Sequence, residues 1–241
     1  MSVTRLLPFV SAAVIFVFAL LVFQRYARRK GTHLLIWGIG LVMYGIGSLT
    51  ESYYSVFGWH DLGFRLWYLC GAILVAAWLG QGTVYLLVRR RIANIKLAHI
   101  LFVLLLLGSL YGAYKVFTAQ LDPSLMPGAS LSGHAITTPG VRILTPFFNI
   151  YGLVALVGGA IYSAWIFWRK RIMPHRVIGN ILIAVGALAP SISGALSRVG
   201  LTEWLYLGEL LGAILMFIGF IQATQRVPEA RPAPAEAAPT S

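Results

Sequence analysis

Seven long apolar runs divide this chain, and each is long enough to cross a membrane as a helix. About 20 apolar residues span the hydrocarbon core of a bilayer. Lipid offers no partners for backbone N–H and C=O groups, so each run is expected to satisfy its own hydrogen bonds as a helix. We place the runs at residues 6–24, 33–50, 62–88, 97–117, 143–168, 175–197 and 203–225. The predicted fold class is an all-α membrane protein, a seven-transmembrane-helix bundle.

Composition excludes a soluble domain and a nucleic-acid partner. Hydrophobic residues are 59% of the chain and charged residues 11%, whereas a soluble domain carries about 25% charged residues. The formal net charge is +12, but the basic residues lie in short turns and not on the face of a folded module, as nucleic-acid binding needs. These charges instead suit contact with membrane lipids, whose anionic headgroups attract them.

The basic residues fall on alternate sides of successive runs, and this indicates the orientation. One side carries Arg25, Arg28, Arg29, Lys30, Arg89, Arg90, Arg91, Lys96, Arg169, Lys170, Arg171, Arg176, Arg226 and Arg231. The other side carries only Arg5, Arg65, Lys115, Arg142 and Arg198. Short loops rich in Lys and Arg stay in the cytoplasm. We therefore predict an N-out, C-in topology and a multi-pass protein of the cell inner (plasma) membrane.

The two ends of the chain extend this interpretation. The first run is followed by a basic stop-transfer cluster and by no small-residue cleavage site, so it is predicted to remain uncleaved. Residues 1–225 are predicted to form the transmembrane domain. Residues 226–241 are rich in Pro, Ala and Glu, a composition typical of disorder, and are predicted to be a cytoplasmic tail.

An internal similarity links residues that are 141 positions apart. The match needs no gap between residues 28 and 74, and it pairs Gly71-Ala72-Ile73-Leu74 with Gly212-Ala213-Ile214-Leu215. It also pairs Gly38, Gly45 and Ser52 with Gly179, Gly186 and Ser193. The pattern predicts two parallel triplets of helices joined by the fourth helix, a 3+1+3 internal repeat. Shared composition and topology are the alternative explanation.

Small residues at helical spacing predict close contacts between helices, because they let backbones approach in lipid. They are Gly208 and Gly212 with Gly219, Gly38 with Gly45, Gly40 with Gly47, and Ala155 with Gly159 and Ser163. We expect these contacts to form within the chain. Pro190 is expected to kink the sixth run, with a serine hydroxyl satisfying the carbonyl that it frees. The long connection at 118–141 is predicted to be an irregular loop, either a simple bridge or a lid.

Glu209 is the most informative single residue. It lies about seven residues inside the last run, and an ionisable side chain at that depth is expected to face the bundle and to have a partner. The predicted partners are Arg65, near the start of the third run, and Arg198, near the end of the sixth. Glu51, at the same end of the second run, joins this group.

Aromatic residues accumulate at the same end of the bundle, and two interpretations of them stay open. The charged and aromatic groups could line a pocket for a small molecule or a lipid in the outer leaflet. Alternatively, Trp and Tyr collect at any membrane interface, and Glu–Arg pairs simply lock helices together. The candidate ligand-binding residues are Glu209, Arg65, Arg198, Glu51, Trp67, Tyr68, Trp204 and Tyr206.

The sequence contains no pattern typical of a catalytic, metal or cofactor site. The histidines, His33, His60, His99, His134 and His175, are scattered over both sides, and Cys70 is the only cysteine. We predict no metal, no cofactor and no enzymatic activity. The deeper polar residues, Gln81, Asn149, Asn180 and Gln222, are expected to form hydrogen bonds between helices.

Three stretches resemble uncharacterised bacterial seven-span membrane proteins: residues 64–72, 79–87 and 168–171. More distantly, the bundle is similar to the seven-span sensor region that precedes some bacterial histidine kinases. The resemblance covers the whole bundle and implies no catalytic residue. Other seven-span families fit less well, because the last run has no Lys to bind retinal and the Pro-Gln motif of SWEET-type sugar carriers is missing.

These observations favour a protein of sensor, receptor or scaffold type that acts through a membrane or cytoplasmic protein partner. The charged and aromatic group at one end, opposite a short tail, motivates this hypothesis. The alternative is a small-solute transporter of 3+1+3 type, which the repeat, the kinked sixth run and Glu209 would suit.

Overall fold

The computed structural model describes residues 7–88, 91–92, 95–126, 130–198 and 203–225. Residues 91, 92, 95, 194–198 and 203 are described by their backbone only. The predicted disordered tail, residues 226–241, lies outside the described part of the chain.

Seven helices in the described part of the chain are long and apolar enough to cross a membrane. They are α1 (Leu7–Arg29), α2 (Thr32–Phe57), α3 (Asp61–Leu87), α4 (Leu97–Thr118), α5 (Leu144–Arg169), α6 (Pro174–Arg198) and α7 (Glu203–Thr224). Two-residue strands, β1 (Arg91–Ile92) and β2 (Ile95–Lys96), pair antiparallel between α3 and α4. The predicted all-α class with seven membrane-length helices is confirmed.

The bundle has two ends that differ in their connections. The long-loop end contains the start of α1, the α2–α3 and α6–α7 connections and the long connection between α4 and α5. The basic end contains the α1–α2, α3–α4 and α5–α6 connections and the end of α7. The sequence predicts that the long-loop end faces outwards and that the basic end faces the cytoplasm.

The first two helices extend beyond the predicted runs. α1 continues to Arg29 instead of ending near residue 24, and α2 continues to Phe57 instead of ending near residue 50. The predicted runs counted apolar residues, but a helix continues into the interface where long charged side chains reach water. Arg28 and Arg29 lie in the last turn of α1, where positive charge is favourable beside the unpaired carbonyl groups.

α2 lies between α1 and α3 and approaches both through glycines. A Cβ atom added to Gly45 would lie 2.7 Å from the ring of Phe16 in α1, and one added to Gly47 would lie 3.0 Å from Cα of Gly71 in α3. Each of these glycines has a counterpart seven residues earlier that faces the same helix, namely Gly38 and Gly40. The contacts predicted for these glycines therefore form within the chain.

α6 and α7 pack tightly against each other through a row of small residues on each helix. The rows are Gly179, Gly186 and Ser193 on α6, and Gly219, Gly212 and Gly208 on α7. A Cβ atom on Gly186 would lie 2.7 Å from the backbone nitrogen of Met216, and one on Gly219 would lie 2.7 Å from the carbonyl oxygen of Gly179. These distances leave no room for a side chain, so the two backbones are in direct contact.

Pro190 interrupts the hydrogen bonding of α6 beside this contact. Proline has no N–H, so the carbonyl of Gly186 loses its helical partner. That carbonyl lies against α7, where a Cβ atom on Gly212 would come within 2.7 Å of it. Ser193 donates to the carbonyl of Pro190 at 3.1 Å, so its hydroxyl does not satisfy the freed carbonyl as predicted. The Cα–H of Gly212 is the group that approaches this carbonyl, as a weak donor.

Gln81 links three helices in the interior of the bundle. Its amide nitrogen donates to the carbonyl of Ala98 in α4 at 2.8 Å, and its amide oxygen accepts from the hydroxyl of Tyr151 in α5. Gln81 itself is completely buried in α3. The predicted interhelical hydrogen bonding of Gln81 is confirmed.

Asn149 has a similar role between α5 and α3. Its amide nitrogen donates to the carbonyl of Ala72 at 2.8 Å, inside a π-helical segment of α3, Trp67–Leu74. A wider π turn weakens the regular hydrogen-bond ladder, and a side chain from a neighbouring helix can then use its carbonyls. Asn180 differs from the prediction, because it donates to the carbonyl of Arg176 in its own helix.

The long connection between α4 and α5 folds over the start of α3. Leu121 and Ile136 form an antiparallel bridge, and Ala135 is fully buried. Asp122 accepts hydrogen bonds from the hydroxyl and the N–H of Ser124, and these bonds hold the pKa of Asp122 below its usual value. The connection is therefore anchored by its own hydrogen bonds and by burial.

Replacing Gly186 with alanine should destabilise the contact between α6 and α7. The new methyl group would meet the nitrogen of Met216 at 2.7 Å, and overpacking of this kind costs about 1–3 kcal/mol. Thermal unfolding in detergent should therefore shift to lower temperature. Gly158→Ala is the matched control, because a Cβ atom at Gly158 has no neighbour within 4 Å. Equal unfolding temperatures for the two variants would contradict the described contact.

Candidate functional site

Two glutamates meet inside the bundle near its long-loop end. Glu51 lies in α2 six residues before that helix ends at Phe57, and Glu209 lies in α7 six residues after that helix begins at Glu203. At a rise of about 1.5 Å per residue, both are roughly 9 Å from the helix ends. The carboxyl groups of Glu51 and Glu209 lie close enough to interact with each other. We call these two groups the carboxyl pair.

The carboxyl pair is shielded from solvent. Glu51 is 1% exposed. Oε1 of Glu51 and Oε2 of Glu209 are buried atoms with no hydrogen-bond partner among the described residues. Two carboxylates in contact repel each other, and a hydrogen bond between two carboxyl groups requires a proton on at least one of them. A proton shared between the two carboxyl groups would remove this repulsion.

Residues with hydroxyl groups lie near the carboxyl pair on the same two helices. Tyr44, on α2, is buried and donates to the backbone carbonyl of Glu209 at 3.1 Å. Ser48 lies one turn before Glu51 and is 2% exposed, and its hydroxyl has no partner in the described part of the chain. Tyr206 lies in α7 one turn before Glu209, near both carboxyl groups. α7 is thus tied to α2 through one side chain and one backbone carbonyl.

Arg65 binds the end of α4 in the structure and not Glu209. Its guanidinium donates to the carbonyl of Val116 and, at 3.0 Å, to that of Ala119. The last carbonyls of a helix have no partner within the helix, and positive charge is favourable there. The sequence could not reveal this role, because it depends on which helix end lies beside the start of α3.

The other residues that were expected near Glu209 do not all lie beside it. The side chain of Arg198 lies outside the described part of the chain. Trp204, at the start of α7, is 53% exposed, which is typical of an aromatic residue at a membrane interface. Of the candidates with described side chains, Tyr206 is the one that joins Glu51 and Glu209.

Trp67 and Tyr68 belong to a separate aromatic cluster under the long connection. Tyr68 stacks on Phe64 with ring centroids 6.0 Å apart, and its hydroxyl lies 3.0 Å from that of Thr145. Gly133 of the connection lies against the Tyr68 ring, where a Cβ atom would come within 2.8 Å. The structure therefore places these two residues where they join α3 to the loop and to α5.

The gap beside this aromatic cluster is small. Its volume is about 10 Å³, enough for about one water molecule. It is lined by Thr50, Tyr53, Tyr54, His60, Phe64 and Leu131. A gap of this size cannot hold an organic ligand.

The carboxyl pair can take up and release a proton, and its oxygen atoms are hard ligands for a small cation. Among the described residues, no group of three or more His, Cys, Asp or Glu side chains could hold a metal ion. The structure thus defines a multi-pass helical membrane protein with a buried pair of carboxyl groups between two of its helices. Comparison with known protein families, with curated proteins and with solved structures finds no match.

The sequence marks both glutamates as candidates but predicts arginine partners for Glu209. The sequence feature that could have predicted their contact is their equal depth from the same end of the bundle. Tyr44 and Ser48 were not among the candidates, because hydroxyl groups are common in membrane helices. Both hydroxyls lie on the same face of α2 as Glu51. That face can be recognised as part of a site only when the helix that packs against it is known.

Replacing Arg65 with methionine should destabilise the end of α4, because two carbonyl groups lose a charged donor. Hydrogen bonds to charged groups contribute about 1.5–3 kcal/mol each. We expect a lower unfolding temperature in detergent and faster amide hydrogen exchange in the last turn of α4. Arg142→Met removes an exposed arginine at the same end and should behave like wild type. If both variants lose the same stability, Arg65 does not cap α4.

Proposed function

We propose that this protein is a sensor of a bacterial inner (plasma) membrane that responds to protonation of the carboxyl pair and acts through a protein partner. The observation that carries the proposal is the close approach of two carboxyl groups on different helices, with Oε1 of Glu51 and Oε2 of Glu209 buried and without a hydrogen-bond partner among the described residues. An N-out topology, favoured by the distribution of Lys and Arg, would put the carboxyl pair near the external solution. The signal would then be a change in the protons available outside the cell.

The repulsion between two carboxylates is large enough to drive such a switch. Two unit charges 4 Å apart repel by about 4 kcal/mol at an effective dielectric constant of about 20. Coupling between sites in proteins typically needs about 1–3 kcal/mol. Loss of the shared proton would therefore supply enough repulsion to separate α2 from α7 at the long-loop end.

A path to the other end of the bundle runs along α7. Phe220, near the end of α7, packs against Phe18 of α1 in a tilted arrangement, with ring centroids 5.4 Å apart. The guanidinium of Arg25 in α1 lies over the same Phe220 ring, 4.9 Å from its centroid. A displacement of α7 would therefore change aromatic and cation–π contacts at the basic end, where a partner in the cytoplasm would act.

The resemblance to the sensor regions of histidine kinases supports the same proposal, since those regions also pass a signal to a separate output module. The partner we propose is a protein in or beneath the membrane, with membrane lipids around the bundle and no nucleic acid. The basic turns are too short to form a nucleic-acid-binding face.

A small-solute carrier is the second candidate, and the carboxyl pair favours it too, because coupled carriers need an intramembrane proton site. The 3+1+3 repeat would also suit a carrier. However, Gly38 and its counterpart Gly179 contact different helices: Gly38 meets Phe23 of α1, and Gly179 meets Gly219 of α7. The packing thus gives the repeat no support, and it stays a prediction.

A distance measurement tests the sensor proposal. Spin labels are attached at Tyr53→Cys in α2 and Trp204→Cys in α7, both exposed at the long-loop end, in a Cys70→Ser background. The protein is reconstituted in liposomes and measured by pulsed electron paramagnetic resonance at acidic and at alkaline pH. We expect the distance between the labels to increase when the shared proton is lost, because the two carboxylates then repel each other.

Matched variants make this test specific. Glu51→Gln with Glu209→Gln keeps a hydrogen-bonding pair that needs no shared proton, so the distance should no longer depend on pH. Asp61→Asn removes an exposed carboxylate at the same end and should keep the response of the parent. A distance in the parent that is the same at both pH values would contradict the proposal, as would a response that survives the double substitution.

Proton flux distinguishes the two candidates. Proteoliposomes containing an entrapped pH-sensitive dye are given a pH gradient. A sensor should leave the gradient unchanged relative to empty liposomes, whereas a proton carrier should dissipate it and lose that activity in Glu209→Gln. Dissipation that depends on Glu209 would replace the sensor proposal with the carrier.

A further inference from the structure

A groove lies at the basic end of the bundle, beside the turn between α5 and α6. Its volume is about 440 Å³, within the range of about 300–1,000 Å³ typical of ligand sites. Its lining combines apolar side chains with cations: Phe167, Trp168, Ile172, Val177, Arg169 and Arg171. The groove lies at the opposite end of the bundle from the carboxyl pair, and it has not entered the proposed function.

In the part of the chain that the structure describes, every Asp and Glu belongs to the long-loop end, so the positive charge at this groove has no described acidic counterpart. No Asp or Glu occurs between Asp122 and Glu203 in the sequence, so neither α5 nor α6 carries one. Arg176 adds a third guanidinium, which lies over the ring of Phe167 at 5.3 Å from its centroid. Its Nε is a buried atom with no hydrogen-bond partner among the described residues. The groove is therefore complementary to an anion.

The backbone of the turn adds to this complementarity. Arg171 and Met173 have φ angles of 50° and 51°, a region that is unfavourable for residues with a Cβ atom. Such conformations persist where the surroundings enforce them, and they concentrate at ligand sites. α6 begins directly after this turn and has no acidic residue in its first turn, so the positive end of its dipole is available to an anion.

Two apolar side chains of the lining are exposed. Trp168 is 68% exposed and Ile172 is 45% exposed, and both lie beside the arginines at the level where a membrane interface would be. A free anion would leave these side chains uncovered. A ligand with an anionic head and a hydrocarbon tail would satisfy the cations and cover the apolar surface together.

We propose that this groove binds an anionic phospholipid, with its phosphate among Arg169, Arg171 and Arg176 and its acyl chain against Trp168 and Ile172. The proposal does not depend on the sensor function. It requires only that the bundle lies in a membrane with the basic end at the lipid headgroups. Bound lipid would also bridge the end of α5 and the start of α6, which are joined by a short, strained turn.

Native mass spectrometry tests the proposal with a matched pair of variants. The full-length protein is taken from nanodiscs that contain equal parts of phosphatidylglycerol and phosphatidylcholine, and the bound lipids are identified and counted. Arg169→Gln with Arg171→Gln should reduce retention of phosphatidylglycerol about tenfold or more, because two favourable charge contacts are lost. Arg28→Gln with Arg29→Gln removes the same charge at the same end, from exposed positions in α1, and should retain wild-type binding.

Each other outcome overturns the proposal. If both double variants lose phosphatidylglycerol equally, basic residues attract anionic lipid in general and the groove is not a specific site. Displacement of phosphatidylglycerol by inorganic phosphate at low millimolar concentration would show that the groove takes a free anion. Arg171→Gln alone, at an exposed position in the turn, provides a milder variant if the double variant does not fold. An Arg171→Gln protein that binds phosphatidylglycerol like wild type would also contradict the site.

Discussion

Close approach of helix backbones at small residues sets the geometry of this bundle. In lipid, no hydrophobic force drives helices together, so close packing and hydrogen bonds between helices hold them. Gly45 and Gly47 place α2 between α1 and α3, and Gly212 places α7 against α6. The meeting of Glu51 and Glu209 depends on these placements, because a rotation of either helix would leave a carboxyl group facing lipid without a partner.

The transmembrane architecture follows from the sequence because lipid imposes one strong rule on the backbone. Runs of apolar residues must be helical and must be about as long as the membrane is thick. The ends of the helices follow other rules, which is why α1 continues to Arg29 and α2 to Phe57. Charged and aromatic side chains end an apolar run in the sequence, but they do not end a helix.

The candidate site was predictable only in part. The depth of Glu209 in the last run indicated that it needed a partner inside the bundle, and this holds. The identity of the partner depends on which helices are neighbours, and charge complementarity suggested Arg65, which instead binds the carbonyls of Val116 and Ala119. A rule that opposite charges attract does not predict a pair of carboxyl groups, because two such groups are expected to come together only when they share a proton.

The central claim is that Glu51 and Glu209 share a proton in the folded protein. Infrared spectroscopy of the protein in liposomes measures this directly, because a protonated carboxyl group has a C=O stretching band distinct from that of a carboxylate. The account predicts a protonated carboxyl band at neutral pH that is lost or shifted in both Glu51→Gln and Glu209→Gln. A wild-type spectrum with carboxylate bands only, or a protonated band that neither substitution alters, would contradict it.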